Sequence, residues 1–143
     1  MKKKHWLSAA ALALFSSLAV AGFLQPAPVT VTLNGDGSGN AIGDMVSARF
    51  APDTVSLIGC GTRRFDNGLG ATSYFGFCQA TDAAGVQGFC STTNPDLLDQ
   101  MKATADFSFI IFAWDVNGEC TRIGFSTQSF YIPDFFANKP SKK

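Results

Sequence analysis

The chain has 143 residues, enough for one domain, with 46% hydrophobic residues, 15% charged residues and a formal net charge of zero. Because acidic residues balance the basic ones, the chain lacks the excess of positive charge that a phosphate backbone requires, and the composition argues against nucleic acid as a partner.

Residues 1–21 have the three parts of a secretory signal peptide. Lys2, Lys3 and Lys4 precede an apolar run over residues 6–20, which ends in the small-residue stretch 19–21. This run is shorter than the roughly 20 apolar residues of a membrane span. We therefore expect cleavage after Ala21 rather than a retained anchor, no membrane span afterwards, and a secreted or periplasmic protein.

Cleavage after Ala21 changes the chemistry of the chain. It removes His5, the only histidine, and leaves eight Lys or Arg against eleven Asp or Glu, a formal charge of −3. A chain without histidine cannot run a Ser-His-Asp or Cys-His mechanism and cannot build a histidine metal site. We expect no cofactor.

The remaining elements, taken in chain order, predict short strands separated by turns. Residues 22–33 form an extended leader that ends in a β-rich run over 29–33, and the glycine-rich stretch 34–40 predicts a loop. Residues 45–50 and 54–62 predict two strands on either side of a Pro-Asp turn.

A hairpin is predicted next, from strands over 72–81 and 86–91 around Asp82-Ala83-Ala84-Gly85. A three-residue loop there pairs Asp82 with Val86 and places Cys78 opposite Cys90.

The four cysteines, Cys60, Cys78, Cys90 and Cys120, predict two disulfides in an exported chain. The alternative is a zinc site with four thiolate ligands, but their spacings of 18, 12 and 30 residues lack the close C-x2-C pairs of such sites. The hairpin register favours bonds Cys78–Cys90 and Cys60–Cys120, and the other two connectivities stay open.

One helix is predicted over 94–102, because Asn94 can cap it and Pro95 suits its first position. A second hairpin follows, from strands over 106–114 and 119–131 around Asn117-Gly118. A two-residue turn places Phe112 opposite Ile123 and Ile110 opposite Phe125. The tail, residues 135–143, is expected to fray.

Together these elements predict a mainly β protein: an antiparallel β-sandwich or barrel-like meander with one short helix and two disulfides, formed by residues 34–134. Both faces of the strand over 107–114 are apolar, so we expect it at the centre of a sheet.

Three groups of residues are candidates for binding. Asn34, Asp36, Ser38 and Asn40 have oxygen ligands at alternate positions, as in calcium loops, but no glutamate occupies the twelfth position, which favours a plain turn and no metal site. Arg63, Arg64 and Arg122 could form a guanidinium cluster for anions, although charges of this kind are more often solvated residues at a strand edge. Trp114 is the best aromatic candidate for stacking on a ligand, but its alternation with Ile110 and Phe112 favours core burial.

Carboxylates are the main acid–base groups left in the mature chain. Asp115 and Glu119 flank one turn and could work as a pair, as in glycoside hydrolysis, although turn positions more often carry solvated charges.

The sequence therefore favours a non-catalytic extracytoplasmic module that binds an unknown protein, glycan or surface component. One alternative is a small secreted hydrolase that depends on carboxylates. A second is an extracellular assembly subunit whose leader adds a strand to a neighbour.

Overall fold

The computed structural model describes residues 23–133 as two antiparallel β-sheets packed face to face. Sheet 1 has the strand order β1-β2-β6-β7 and sheet 2 the order β3-β4-β5. The elements in chain order are β1 (Thr30–Leu33), β2 (Gly39–Asp44), α1 (Met45–Arg49), β3 (Leu57–Asp66), β4 (Thr72–Thr81), β5 (Gln87–Thr92), α2 (Pro95–Ala103), β6 (Phe109–Trp114), β7 (Cys120–Ser126) and a 3₁₀ turn (Ser129–Tyr131).

The mainly β fold with two disulfides is confirmed. The predicted signal peptide, residues 1–21, and the predicted frayed tail, residues 135–143, lie outside the described residues. Within residues 23–133, no helix has the length and apolar character that crossing a bilayer would require.

Both predicted hairpins form, each around a turn closed by a glycine in the left-handed region. Asp82 donates its backbone N–H to the Val86 carbonyl at 3.0 Å, and Gly85 has a φ of +81°. The β6–β7 turn is built in the same way, with Gly118 at a φ of +77°. It is therefore a three-residue loop, and the predicted two-residue turn at Asn117-Gly118 is wrong.

The predicted pairing of β6 with β7 is nevertheless confirmed. Phe112 lies opposite Ile123 and Ile110 lies opposite Phe125. A register shift beside Trp114, which pairs with Cys120, compensates for the longer loop. β6 lies between β2 and β7, so it is a central strand as expected.

Two elements near residue 44 differ from the sequence prediction. β2 was missed, because its sequence GNAIGD contains two glycines and one β-branched residue. The strand predicted over residues 45–50 is helix α1 instead, because the Asp44 carboxylate accepts a hydrogen bond from the Ser47 backbone N–H at 2.6 Å and caps the helix. The predicted helix over 94–102 is confirmed as α2, capped by Asn94.

Asp44 also fixes the leader. This residue is buried, its carboxylate accepts the Ala27 N–H at 2.6 Å, and its own N–H donates to the Ala27 carbonyl at 2.8 Å. Further along, β1 pairs with β2 of the same chain. Strand donation to a neighbour, which the assembly alternative requires, would first have to separate β1 from β2.

The core between the sheets combines large side chains from sheet 1 with small ones from sheet 2. Ile110, Phe112 and Trp114 project inward from β6 and are buried. Apart from Ile58, the buried apolar positions of sheet 2 are glycine, alanine or half-cystine, and an added Cβ at Gly88 would lie 2.5 Å from the Trp114 ring. Helix α2 closes one side and packs Leu98 over Gly76.

The disulfides are Cys60–Cys78 and Cys90–Cys120, so the preferred pairing Cys78–Cys90 with Cys60–Cys120 is wrong. The predicted register that placed Cys78 opposite Cys90 is confirmed. Counting from the hydrogen-bonded pair Asp82–Val86 makes Cys78 and Cys90 a hydrogen-bonded pair as well. Cys78 is then a non-hydrogen-bonded neighbour of Cys60, whose Cα lies only 4.0 Å away, and this closer pair forms the bond.

Candidate functional site

The outer face of sheet 2 carries a continuous row of aromatic rings. We call this surface the phenylalanine face and define it by Phe65, Phe75, Phe77 and Phe89. Successive ring centroids in the row are 6.1, 6.4 and 6.3 Å apart. Distances of this size are those of interacting aromatic pairs.

Strand alternation explains how the row arises. Gly76 and Cys78 of β4 face the core, so their neighbours Phe75 and Phe77 face away from it. The register brings Phe65 of β3 opposite Ser73 and Phe89 of β5 opposite Gln79, so the four rings form a diagonal across three strands. The row extends about 20 Å along the strands, at about 3.4 Å per residue.

The two rings at the ends of the row are each 56% exposed. They are Phe65 and Phe89, and the two central rings are half-buried by their neighbours. Beside the row on β3, Gly59 has open space where a side chain would be. The surface is therefore open and has no covering element among the described residues.

Arg63 supplies the charge on this face. Its guanidinium carbon lies 5.1 Å from the centroid of the Phe77 ring, a cation–π contact. The only acidic residue of the three strands is Asp66, which alternation directs to the opposite face. Arg63 has no ion-pair partner among residues 23–133.

Trp114, the candidate stacking residue, lies in the core. It is 6% exposed, its ring lies between Gly39 and Gly88, and its indole N–H donates to the Gly37 carbonyl at 3.1 Å. Core burial, which the sequence favoured, is therefore observed, and Trp114 is not available for stacking on a ligand.

The three arginines predicted as an anion-binding cluster point to different surfaces. Arg64 follows Arg63 in β3 and so projects from the opposite face, where it lies 4.9 Å from the centroid of the Tyr74 ring. Arg122 lies in sheet 1, opposite Ala113. Only Arg63 belongs to the phenylalanine face.

The predicted loop at 34–40 uses its oxygen atoms internally. Asp36 accepts hydrogen bonds from both the N–H and the hydroxyl of Ser38, and these bonds lower the pKa of Asp36. Asn34 donates to the Ser38 hydroxyl at 2.8 Å, and Asn40 belongs to β2. These contacts account for the residue types by turn formation.

Asp115 and Glu119 are likewise parts of a turn. The Asp115 carboxylate accepts the backbone N–H groups of Glu119 and Asn117, and the first of these is the main cause of its lowered pKa. A carboxylate held ionised in this way is poorly suited to act as a general acid.

A second concave site lies between the leader, α1 and the 3₁₀ turn. This apolar groove has a volume of about 570 Å³, within the range of ligand pockets. Its carboxylates are Asp44, engaged as described, and Asp53, which accepts the N–H groups of Ser56 and Val55. These bonds, that from Ser56 first, lower the pKa of Asp53, so the groove also lacks a carboxyl group tuned to donate a proton.

The phenylalanine face was missed in the sequence, although one signal was present. In β4, Phe75 and Phe77 alternate with Gly76 and Cys78, so a strand with small residues on one face and rings on the other could have been read from residues 75–78.

Comparison with protein-family models, with curated proteins and with solved structures finds no significant match for the chain.

Proposed function

We propose that the protein is a non-catalytic binding module of the secreted or periplasmic space, and that its phenylalanine face docks a partner protein. The observation that supports this most is the exposed ring row of Phe65, Phe75, Phe77 and Phe89. Contiguous exposed apolar surface with a polar rim is typical of interaction sites. The signal-like residues 1–21 and the two disulfides support the compartment.

The chemistry of the face favours a protein over a glycan. Glycan platforms use tryptophan and tyrosine, whose polar edges meet sugar hydroxyls. Here Trp114 is buried, Tyr74 lies on the other face of β4 and Tyr131 is stacked on Phe109. Phenylalanine together with arginine is typical of the centre of a protein interface.

Arg63 defines the charge that the partner should bring. Apolar contact with the rings would remove water from this guanidinium, and an unpaired charge is costly to desolvate. The partner surface should therefore be apolar with one carboxylate above Arg63. A second copy of this chain would bring another Arg63 to the interface. The carboxylate with which that copy could pair Arg63 is Glu119, which lies beside Ser91 at the margin of the phenylalanine face.

The hydrolase alternative is weaker, because the carboxylates of the groove and of the β6–β7 turn are engaged by backbone N–H groups. Asp44, Asp53 and Asp115 each accept two such bonds. Every one of them therefore has a structural role.

Affinity capture from the envelope and medium of the source cells tests the proposal, with quantitative mass spectrometry of what is retained. The unmodified protein is compared with the double variant Phe65→Ser/Phe89→Ser and with Val116→Ser. Val116 is 59% exposed but lies in the β6–β7 turn, so it is a matched control off the face. We expect the double variant to lose a specific protein by about tenfold or more, and Val116→Ser to keep it.

The charge is tested separately with Arg63→Glu and its neighbour Arg64→Glu. We expect only Arg63→Glu to weaken capture, because Arg64 projects from the opposite face. Retention of the same proteins by all variants would refute the role of the face. Concentration-dependent dimers in sedimentation that disappear in the phenylalanine variant would identify a second copy as the occupant instead, and glycan-array binding lost in that variant would identify a sugar.

A further inference from the structure

All four half-cystines lie in one row across the junction of the two sheets. In the strand register Cys60 is opposite Cys78, and Cys78 is opposite Cys90, which is bonded to Cys120 of sheet 1. The sulfur atoms of Cys78, Cys90 and Cys120 lie within 4.8 Å of one another. The two disulfides are therefore neighbours, although 18 and 30 residues separate their partners in the chain.

We infer that this row is a thiol–disulfide relay, in which reduction of Cys60–Cys78 rearranges the bond Cys90–Cys120. The inference is independent of the proposed function, because it depends only on the positions of the sulfur atoms.

Access to the row is uneven. Cys60 is half-buried in the edge strand β3, whereas Cys78, Cys90 and Cys120 are buried. An external thiolate therefore reaches the Cys60 sulfur first. Attack there forms a mixed disulfide with Cys60 and expels the Cys78 sulfur as a thiolate. Of the two sulfur atoms in the bond Cys60–Cys78, the Cys78 sulfur is the one that lies next to the second disulfide.

The chemistry balances with a dithiol reductant. Its second thiol displaces Cys60 as a free thiol and the reductant leaves as a cyclic disulfide, so two electrons have passed to the bond Cys60–Cys78. The Cys78 thiolate then attacks the Cys90 sulfur, forms a Cys78–Cys90 bond and expels Cys120, which takes up a proton. This second step exchanges one disulfide for another without any further reductant.

The exchange changes what the disulfides connect. In the oxidised protein, Cys90–Cys120 joins β5 of sheet 2 to β7 of sheet 1. After the exchange, Cys78–Cys90 joins β4 to β5 within sheet 2, and the thiols are Cys60 and Cys120. The two sheets then have no covalent link other than the chain itself.

The relay is tested by treating the native protein with a limiting amount of dithiothreitol, quenching with an alkylating reagent and mapping the singly reduced species by mass spectrometry. An Asp-specific protease suits the mapping, because Asp66, Asp82 and Asp96 separate the cysteines, whereas no Lys or Arg lies between Arg64 and Lys102. We expect the label on Cys60 and Cys120 in roughly half or more of the singly reduced molecules.

The matched control is the double variant Cys90→Ser/Cys120→Ser, which keeps the first disulfide and removes the acceptor. Its reduction should label Cys60 and Cys78 together. The same pattern in the unmodified protein, with Cys90–Cys120 intact, would overturn the relay. A label on Cys60 and Cys90, with a Cys78–Cys120 bond, would support exchange but would place the attack on the Cys120 sulfur.

Discussion

The two sheets distribute large side chains in opposite ways. Sheet 1 places Ile110, Phe112 and Trp114 inside and leaves small or polar residues on most of its outer face. Sheet 2 places Ile58 and mostly small residues inside, among them Gly76, Cys78, Gly88 and Cys90, and its phenylalanines outside. Sheet 1 thus follows the usual pattern of a sandwich, and sheet 2 reverses it.

The difference separates two roles for aromatic residues. The small inner residues of sheet 2 are required, because the Trp114 ring and helix α2 occupy the space where side chains would stand. The outer rings fill no space in the core. The proposed partner would account for their position, whereas the position of Phe112 is explained by the fold alone.

The difference between the two sheets is tested most directly by truncating one aromatic ring in each sheet. Phe112→Ala should lower the free energy of unfolding by about 3–5 kcal/mol, because Phe112 is fully buried and its loss leaves a cavity. Phe89→Ala should lower it by about 1 kcal/mol or less, because Phe89 is largely exposed. Urea unfolding of both variants gives the two values, and similar losses would show that the outer rings stabilise the fold itself.

The substitution Gly88→Ala tests the packing between the small inner residues of sheet 2 and the large inner residues of sheet 1. A Cβ there would lie 2.5 Å from the Trp114 ring, so we expect overpacking to cost about 1–3 kcal/mol. The control is Gly59→Ala, where no atom lies within 4 Å and the stiffer unfolded chain should give a gain of about 0.4–1 kcal/mol. Thermal unfolding measures both, and equal effects would mean that the Trp114 ring can move aside.

The smallest effect is expected at Asp53, in the connection between α1 and β3. Hydrogen bonds from Ser56 and Val55 lower its pKa below the ordinary value of 3.8. A depressed pKa in the folded state means that the carboxylate stabilises the protein above about pH 4 and loses this contribution as the pH falls through the folded pKa.

Asp53→Asn keeps the geometry and removes the charge. The variant should be slightly less stable than the unmodified protein at pH 7, and the difference should shrink progressively as the pH falls below the ordinary value of 3.8. Melting temperatures measured across this range test the sign. A difference that grows on acidification would contradict the lowered pKa.

Local turn chemistry explains why much of the fold was predictable. The turn closed by Gly85 fixes its hairpin, so the pair Cys78–Cys90 followed from counting outward. In the β6–β7 hairpin the predicted turn was wrong and the register right, because the irregularity beside Trp114 restores the pairing. Asn94 and Pro95 similarly fixed the start of α2.

The features that were missed depend on contacts between distant segments. The sequence of β2 resembles that of a loop. Gly39 and Gly43 occupy positions in this strand where the Trp114 ring and Val29, respectively, approach the backbone closely. The disulfide pairing depended on which strand lies on the other side of β4, which the hairpin sequence does not contain. Prediction of the phenylalanine face required the knowledge that Cys78 faces inward.

The contact between Asp44 and Ala27 has a consequence for proteolytic trimming. The backbone of Ala27 is hydrogen-bonded to Asp44 in both directions, three residues before the first strand begins. An exopeptidase that advanced past this residue would leave a buried carboxylate with an unfilled acceptor position and weaken the start of α1. The stable amino-terminal limit of the folded unit therefore lies ahead of Ala27 rather than at β1.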